Sequence, residues 1–202
     1  MPHRGGISRR LLGATSAALA CVAGACHGNA TDLGLTPRTA LLALARKDSV
    51  NPTALSFTVQ VNRLDVDTLK HSDADGTIFA IFSFTPFSLL SQNGVILADT
   101  ATVTVTVTPT SSVYGFTVGP ASLAFDVAGR PTVRVSYVRY VDRTVYDSAG
   151  QYPDFATFEQ ALRLWRQRGP DDWVSESDAA PSGSTVAAPL DAPGSYVVAA
   201  PK

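Results

Sequence analysis

The amino-acid sequence predicts an all-β fold, an antiparallel β-sandwich carried behind an N-terminal signal and lipid-anchor segment and a short tether. Three observations carry that class. Ala101-Thr-Val-Thr-Val-Thr-Val-Thr108 alternates strictly between apolar and hydroxyl side chains. Thr132-Val-Arg-Val-Ser-Tyr137 alternates again after a turn at Gly129-Arg-Pro131. Leu55, Phe57, Val59 and Val61 alternate with Ser56, Thr58 and Gln60. A period of two in β-branched residues marks strands with one dry and one wet face, and several such runs separated by turns describe a sandwich.

Residues 1–25 read as a signal peptide of the lipoprotein type. Met1 to Arg10 holds Arg4, Arg9 and Arg10 and no acid. Leu11 to Val22 is apolar over about ten residues, the length of a secretory h-region and too short to span a bilayer. Ala23-Gly-Ala-Cys26 resembles a bacterial lipobox, in which small residues precede the cysteine that is acylated and becomes the new N-terminus. Leu is absent three residues before Cys26, and Ala18-Leu-Ala-Cys21 is a rival site. Ser8-Arg9-Arg10 also resembles a twin-arginine signal, so both export routes stay open. The expectation is an exported protein of the bacterial cell envelope, lipid-anchored through Cys26 at the outer membrane or periplasmic face.

Cleavage before Cys26 removes three arginines and no acid, leaving 13 basic against 17 acidic residues, a formal charge of −4. A nucleic-acid partner calls for a basic footprint, and this balance argues against one. Both cysteines lie in or at the end of the signal, so the mature fold has no disulfide and rests on burial.

Residues 26–52 form a tether and a segment with two readings, and residues 53–202 form the sandwich. Thr36 to Asp48 fits a helix with Thr36 as cap and Pro37 at its first position. It fits an extended segment equally, and the extended form is preferred because a lone two-turn helix is hard to seat on a sandwich. Leu55–Val61 is a strand. Asn62–Gly76 is polar and ends in a turn. Thr77–Phe84, apolar on both faces, suits a central strand closed by Pro86. Asn93-Gly94 is a turn, after which Val95-Ile-Leu97 leads into the long alternating strand. Ser122–Val127 is a short apolar stretch. Val133, Val135 and Tyr137 point inward with Val103, Val105, Val107, Leu123 and Phe125. Asp147–Gly150 is a loop, and Pro153–Gln160 starts as a helical turn capped by Asp154. Phe155, Phe158, Leu162 and Trp165 fit a continuing helix, while Leu162–Arg168 and Trp173–Glu176 around Gly169-Pro-Asp-Asp172 fit a hairpin. Thr185–Ala188 and Ser195–Ala199 read as closing strands.

Residues 99–200 resemble the ZU-five domain, a β-sandwich module of scaffold proteins, netrin receptors, ankyrins and bacterial envelope lipoproteins. The likeness is carried by the strand at Ala101–Thr108, by Gly119-Pro-Ala-Ser-Leu-Ala-Phe125, and by Pro131 leading into Val133–Tyr137. It continues in Leu162-Arg-Leu-Trp165 with Asp172-Trp173, and in Ser195-Tyr196-Val-Val. The resemblance implies that the two tryptophan segments form a hairpin. Some eukaryotic members cut themselves at His-Phe-Ser in the closing strand. The matching positions here are Pro193, Gly194 and Ser195, which keep the nucleophile but lack the base, so the resemblance implies an uncut chain.

Chemistry is sparse. The sequence holds no HExxH, GxSxG or phosphate-binding glycine loop. His71 with Asp73 and Asp75 makes His-x-Asp-x-Asp-Gly, which has two carboxylates for a hard cation but also reads as turn composition. No metal or other cofactor is therefore assigned. Thr102, Thr104, Thr106 and Thr108 form a hydroxyl row about 6.8 Å apart that could suit ice or polysaccharide, although threonine is the default residue for the wet face of a strand and that reading is preferred. Arg134, Arg139, Arg163, Trp165 and Arg166, with Arg143 and Arg168, form the candidate binding surface for an anionic partner if their segments pair; solvated strand faces explain them too. With no nucleophile, base and orienter together, the sequence is read as a non-enzymatic, lipid-anchored binding or scaffolding sandwich with an envelope protein or polysaccharide partner. The alternative is a soluble secreted or periplasmic carbohydrate-binding module.

Overall fold

A computed structural model describes residues 34–47, 50–72, 76–146 and 150–202. The signal, Cys26, Asp73, Asp75 and residues 147–149 lie outside the described residues. The strands in chain order are β1 (Thr36–Pro37), β2 (Leu41–Ala43), β3 (Leu55–Gln60), β4 (Asp65–Lys70) and β5 (Ile78–Phe84). They continue with β6 (Leu89–Gln92), β7 (Val95–Ile96), β8 (Thr102–Pro109), β9 (Gly115–Gly119) and β10 (Leu123–Phe125). After β11 (Thr132–Ser136) comes the one α-helix among the described residues, α1 (Phe155–Ala161), then β12 (Arg163–Gln167), β13 (Asp172–Ser175), β14 (Thr185–Pro189) and β15 (Gly194–Pro201). The fold is all-β, and every strand pairing is antiparallel.

One large sheet runs β1-β13-β12-β15-β9-β8-β3, with β2 added alongside β15. A four-stranded sheet runs β14-β11-β5-β4, and a three-stranded one runs β10-β6-β7. The core lies between them. Val103, Val105 and Val107 of β8, with Phe57 and Val59 of β3, belong to one cluster with Phe79, Phe82 and Phe84 of β5 and Val133 and Val135 of β11. Thr102, Thr104, Thr106 and Thr108 take the opposite, exposed face. Edge-to-face contacts join the layers, Phe57 with Phe84 at 5.8 Å and Phe82 with Phe116 at 5.3 Å. Leu123, Phe125 and Tyr137 are buried in the same cluster, as their alternation requires.

The long closing strand β15 is dry on both sides. Tyr196, Val198 and Ala200 enter the main core, while Val197 and Ala199 join a second cluster with Leu41, Trp165 and Trp173. The 36–43 segment supplies the cover for that outer cluster. Leu41 pairs with Pro201 and Ala43 with Ala199, and β1 adds to β13 through Thr36 and Trp173. The segment is extended, with a 3-10 turn at Arg38–Ala40, because its apolar side chains face a flat sheet. A compact unit spans Leu33–Lys202, so the sandwich begins well before residue 53 and the part of 26–52 from residue 36 is integral to it.

Two other expectations are corrected, and one strand is added. Asn62–Gly76 contains a strand, β4, whose edge position suits its Asp65, Asp67 and Lys70. Val95-Ile96 does not run on into β8; it turns back on β6 around Asn93 and Gly94, whose positive φ values of 54° and 76° are those of a tight hairpin turn. A strand unassigned from sequence, β9, brings Phe116 and Val118 into the core. The ambiguous 155–176 stretch divides between both readings. Asp154 caps α1 by accepting from the Thr157 amide at 2.7 Å, and the helix gives way to the β12–β13 hairpin with Arg166 opposite Val174.

Candidate functional site

The arginine and tryptophan surface expected from sequence does not assemble, because β11 and β12 lie in different sheets. Arg134 stands exposed on the outer face of the four-stranded sheet, beside Ile78, Ile81, Ser136 and Thr185. Arg139 lies over the Tyr140 ring at 5.3 Å and donates to the Thr77 hydroxyl. Arg143 covers Phe155. Arg163 donates to the Gln160 and Leu162 carbonyls at the end of α1, a cation placed where a helix C-terminus favours one. Trp165 is buried in the outer cluster and donates to the Ala199 carbonyl at 2.9 Å.

His71 is also not presented to a ligand. Its ring sits against Phe79 and Tyr140, at 5.4 and 4.6 Å, and is 4% exposed. Burial first, and then the Arg46 guanidinium, lower its pKa to about 4, against a hydrogen bond to the Val50 backbone. It is a neutral core side chain at physiological pH. Among the described residues no group of three or more His, Cys, Asp or Glu side chains gathers to hold a metal.

The threonine row holds. Registers Thr58 to Thr104, Ser56 to Thr106, Thr108 to Thr117 and Thr117 to Ser195 extend it over β3, β8, β9 and β15 as a broad hydroxyl face. The Thr117 and Ser195 hydroxyl oxygens are 3.3 Å apart.

The residues that do converge are charged and largely overlooked by the sequence reading. Arg166 shares the parity of Leu164 on β12 and is buried. Its Nε donates to Glu176 Oε1 at 2.5 Å, and its Nη2 is 3.8 Å from Asp191 Oδ2. Asp191, in the loop before β15, pairs with Arg130 from the turn between β10 and β11. Tyr196 donates to the Ala192 carbonyl beside them, and burial raises its phenol pKa. Desolvation raises the Glu176 pKa against the pull of Arg166, and the neighbouring Asp191 carboxylate raises it further. An open cleft of about 340 Å³ beside the network is lined by Val127, Arg130, Arg166, Arg168, Asp191 and Ala192.

A second feature is apolar. The turn after β3, the β5–β6 loop and the β10–β11 turn meet at one end of the sandwich. They are tied there by Phe87 N to Val61 O, Asp126 N to Ser88 O and Thr85 Oγ1 to Gly129 O. Leu64, Phe87 and Val127 from these loops are exposed, as are Leu90, Val95 and Ile96 on the neighbouring β6–β7 hairpin. Phe87 holds φ at 63°, a conformation a bulky residue rarely adopts.

In comparison with known proteins, no family model, curated protein or solved structure matches the chain. The fold defines the class, an all-β sandwich. Among the described residues no helix is long and apolar enough to cross a membrane.

Proposed function

We propose that this protein is a non-enzymatic, lipid-anchored binding or scaffolding sandwich of the bacterial cell envelope, with a ZU-five-like domain as its body. The observation that carries the reading is an arrangement along the chain. A basic, acid-free start and an apolar run lead to Cys26, and a cysteine-free sandwich begins with β1 at Thr36, ten residues on. At full extension ten residues reach about 36 Å, so acylation of Cys26 would hold the sandwich close to the membrane surface. The exposed apolar end supports the binding half, since large side chains grouped in water mark contact surfaces. The soluble carbohydrate-binding alternative draws on the hydroxyl face over β3, β8, β9 and β15.

Metabolic labelling with radioactive palmitate tests the anchor. Label is expected on the wild type and absent from Cys26→Ala. An unlabelled wild type, or label surviving Cys26→Ala, refutes lipid anchoring at this residue.

A further inference from the structure

We infer that the cleft between the β10–β11 turn, the end of β12 and the loop before β15 binds an oxyanion group, a carboxylate or a phosphate, through Arg130, Arg166 and Arg168. The inference rests on the binding half of the proposed function and not on the anchor, so a Cys26 that takes no lipid leaves it standing.

Charge count and geometry carry it together. Three guanidinium groups, Arg130 from the β10–β11 turn and Arg166 and Arg168 from the end of β12, line one cleft, and Asp191 is the single acid in its lining. Including Glu176 behind Arg166, the cluster has three cations against two carboxylates. Glu176 answers Arg166 at 2.5 Å, and Asp191 is divided between Arg130 and, at 3.8 Å, Arg166. Arg168 has no carboxylate partner among the described residues and is exposed at the mouth of the cleft. Within the cleft lining three cations face one acid, Asp191, so a positive charge faces the opening.

The directions of the groups point the same way. Asp191 reaches both Arg130 and Arg166 across the cleft, so the guanidiniums already aim at a place where carboxylate oxygens sit. Its side chain and that of Arg130 are 32% and 42% exposed, open to exchange with solvent. Arg166 is fixed by Glu176 and by burial, which gives one rigid donor; Arg130 is held by Asp191 and the Val127 carbonyl and would exchange Asp191 for a ligand, while the exposed Arg168 can close on it. Guanidinium forks suit planar carboxylates and phosphate oxygens alike. A volume of about 340 Å³ admits a group of monosaccharide size. Exposed Val127 on the rim offers that group an apolar contact.

The test is calorimetric titration of the full chain in detergent with sodium glucuronate and, separately, inorganic phosphate, at matched ionic strength. Saturable binding of at least one probe is expected, and which probe binds identifies the source as a carboxylate or a phosphate. Arg168→Ala, on an exposed side chain that leaves the fold intact, should weaken that binding about tenfold. Asp191→Asn, which removes the internal competitor, should strengthen it. Arg134→Ala, on the other sheet, should leave it unchanged. Failure of both probes to saturate overturns the inference. So does binding indifferent to Arg168→Ala, or weakened equally by Arg134→Ala, since the latter would be diffuse electrostatics.

Discussion

Lowering the pH should destabilise this sandwich through His71. The imidazole is buried between Phe79 and Tyr140 with Arg46 nearby, and its pKa falls from 6.5 to about 4. Above pH 6.5 it is neutral in both folded and unfolded chains and contributes no pH dependence. As pH drops below 6.5 the unfolded chain takes up a proton that the folded chain refuses, so stability falls. Near pH 4 the folded chain is protonated too, and the decline levels off. A shift of this size is worth about 3 kcal/mol over that window. Urea unfolding of wild type and His71→Phe at several pH values between neutrality and pH 4 reads it directly. Other groups titrate in both proteins and cancel in the difference. Asp142 and Asp154, held below the ordinary carboxylate range by hydrogen bonds from Thr144 and Thr157, lose stability only at lower pH. Glu176, pushed upward by desolvation, acts in the opposite direction. The gap between wild type and His71→Phe should therefore move by about 3 kcal/mol against the wild type. Parallel curves would show that the ring is hydrated, and the reasoning would fail.

Three further outcomes follow from the packing. Phe125→Ala, which removes a buried ring in edge contact with Phe84, should cost about 3–5 kcal/mol in urea unfolding, whereas Thr104→Ala on the wet face should stay within about 0.5 kcal/mol; equal costs would mean that the faces are reversed. Glu176→Ala should cost about 3 kcal/mol by leaving Arg166 buried without its closest carboxylate, and Arg166→Leu with Glu176→Leu should cost less than that single change; a harmless Glu176→Ala would show that the pair is solvated. Ser195, whose hydroxyl lies beside Thr117 and which follows Pro193 and Gly194, should remain in an uncut chain by intact mass; a fragment ending at Gly194 and lost in Ser195→Ala would refute this.

The alternating strands were legible because each has one face in the core and one in water. β8 and β11 bury every second side chain, and period two survives in the sequence. β4 left no such trace. It is an edge strand with only Leu69 fully buried, and its charges look like those of a loop. The role of residues 36–43 was hidden for a different reason. Their pairing partners, Trp173 on β13 and Ala199 and Pro201 on β15, lie at the far end of the chain, and local composition carries no signal of them.

The arginine cluster failed on topology, and its failure shows what parity could have supplied. The cluster requires the 132–137 and 162–168 segments to pair, but between β11 and β12 the chain passes through α1 and changes sheets, so β11 is flanked by β5 and β14. Within β12 the information was present. Leu164 and Arg166 share a parity, and Leu164 is a core residue, so the same alternation sends Arg166 to the dry side. A buried guanidinium requires a carboxylate. The hairpin register places Val174 opposite Arg166 and brings Glu176, of the same parity as Val174, to the diagonal position beside it. That pair could be derived from the hairpin alone. Arg130 and Asp191 face each other just beyond the last β11–β14 pair, Thr132 with Pro189, but their approach to Arg166 could not be derived, because it depends on the stacking of the two sheets, and it is their arrival that turns a buried ion pair into an open, positively charged cleft.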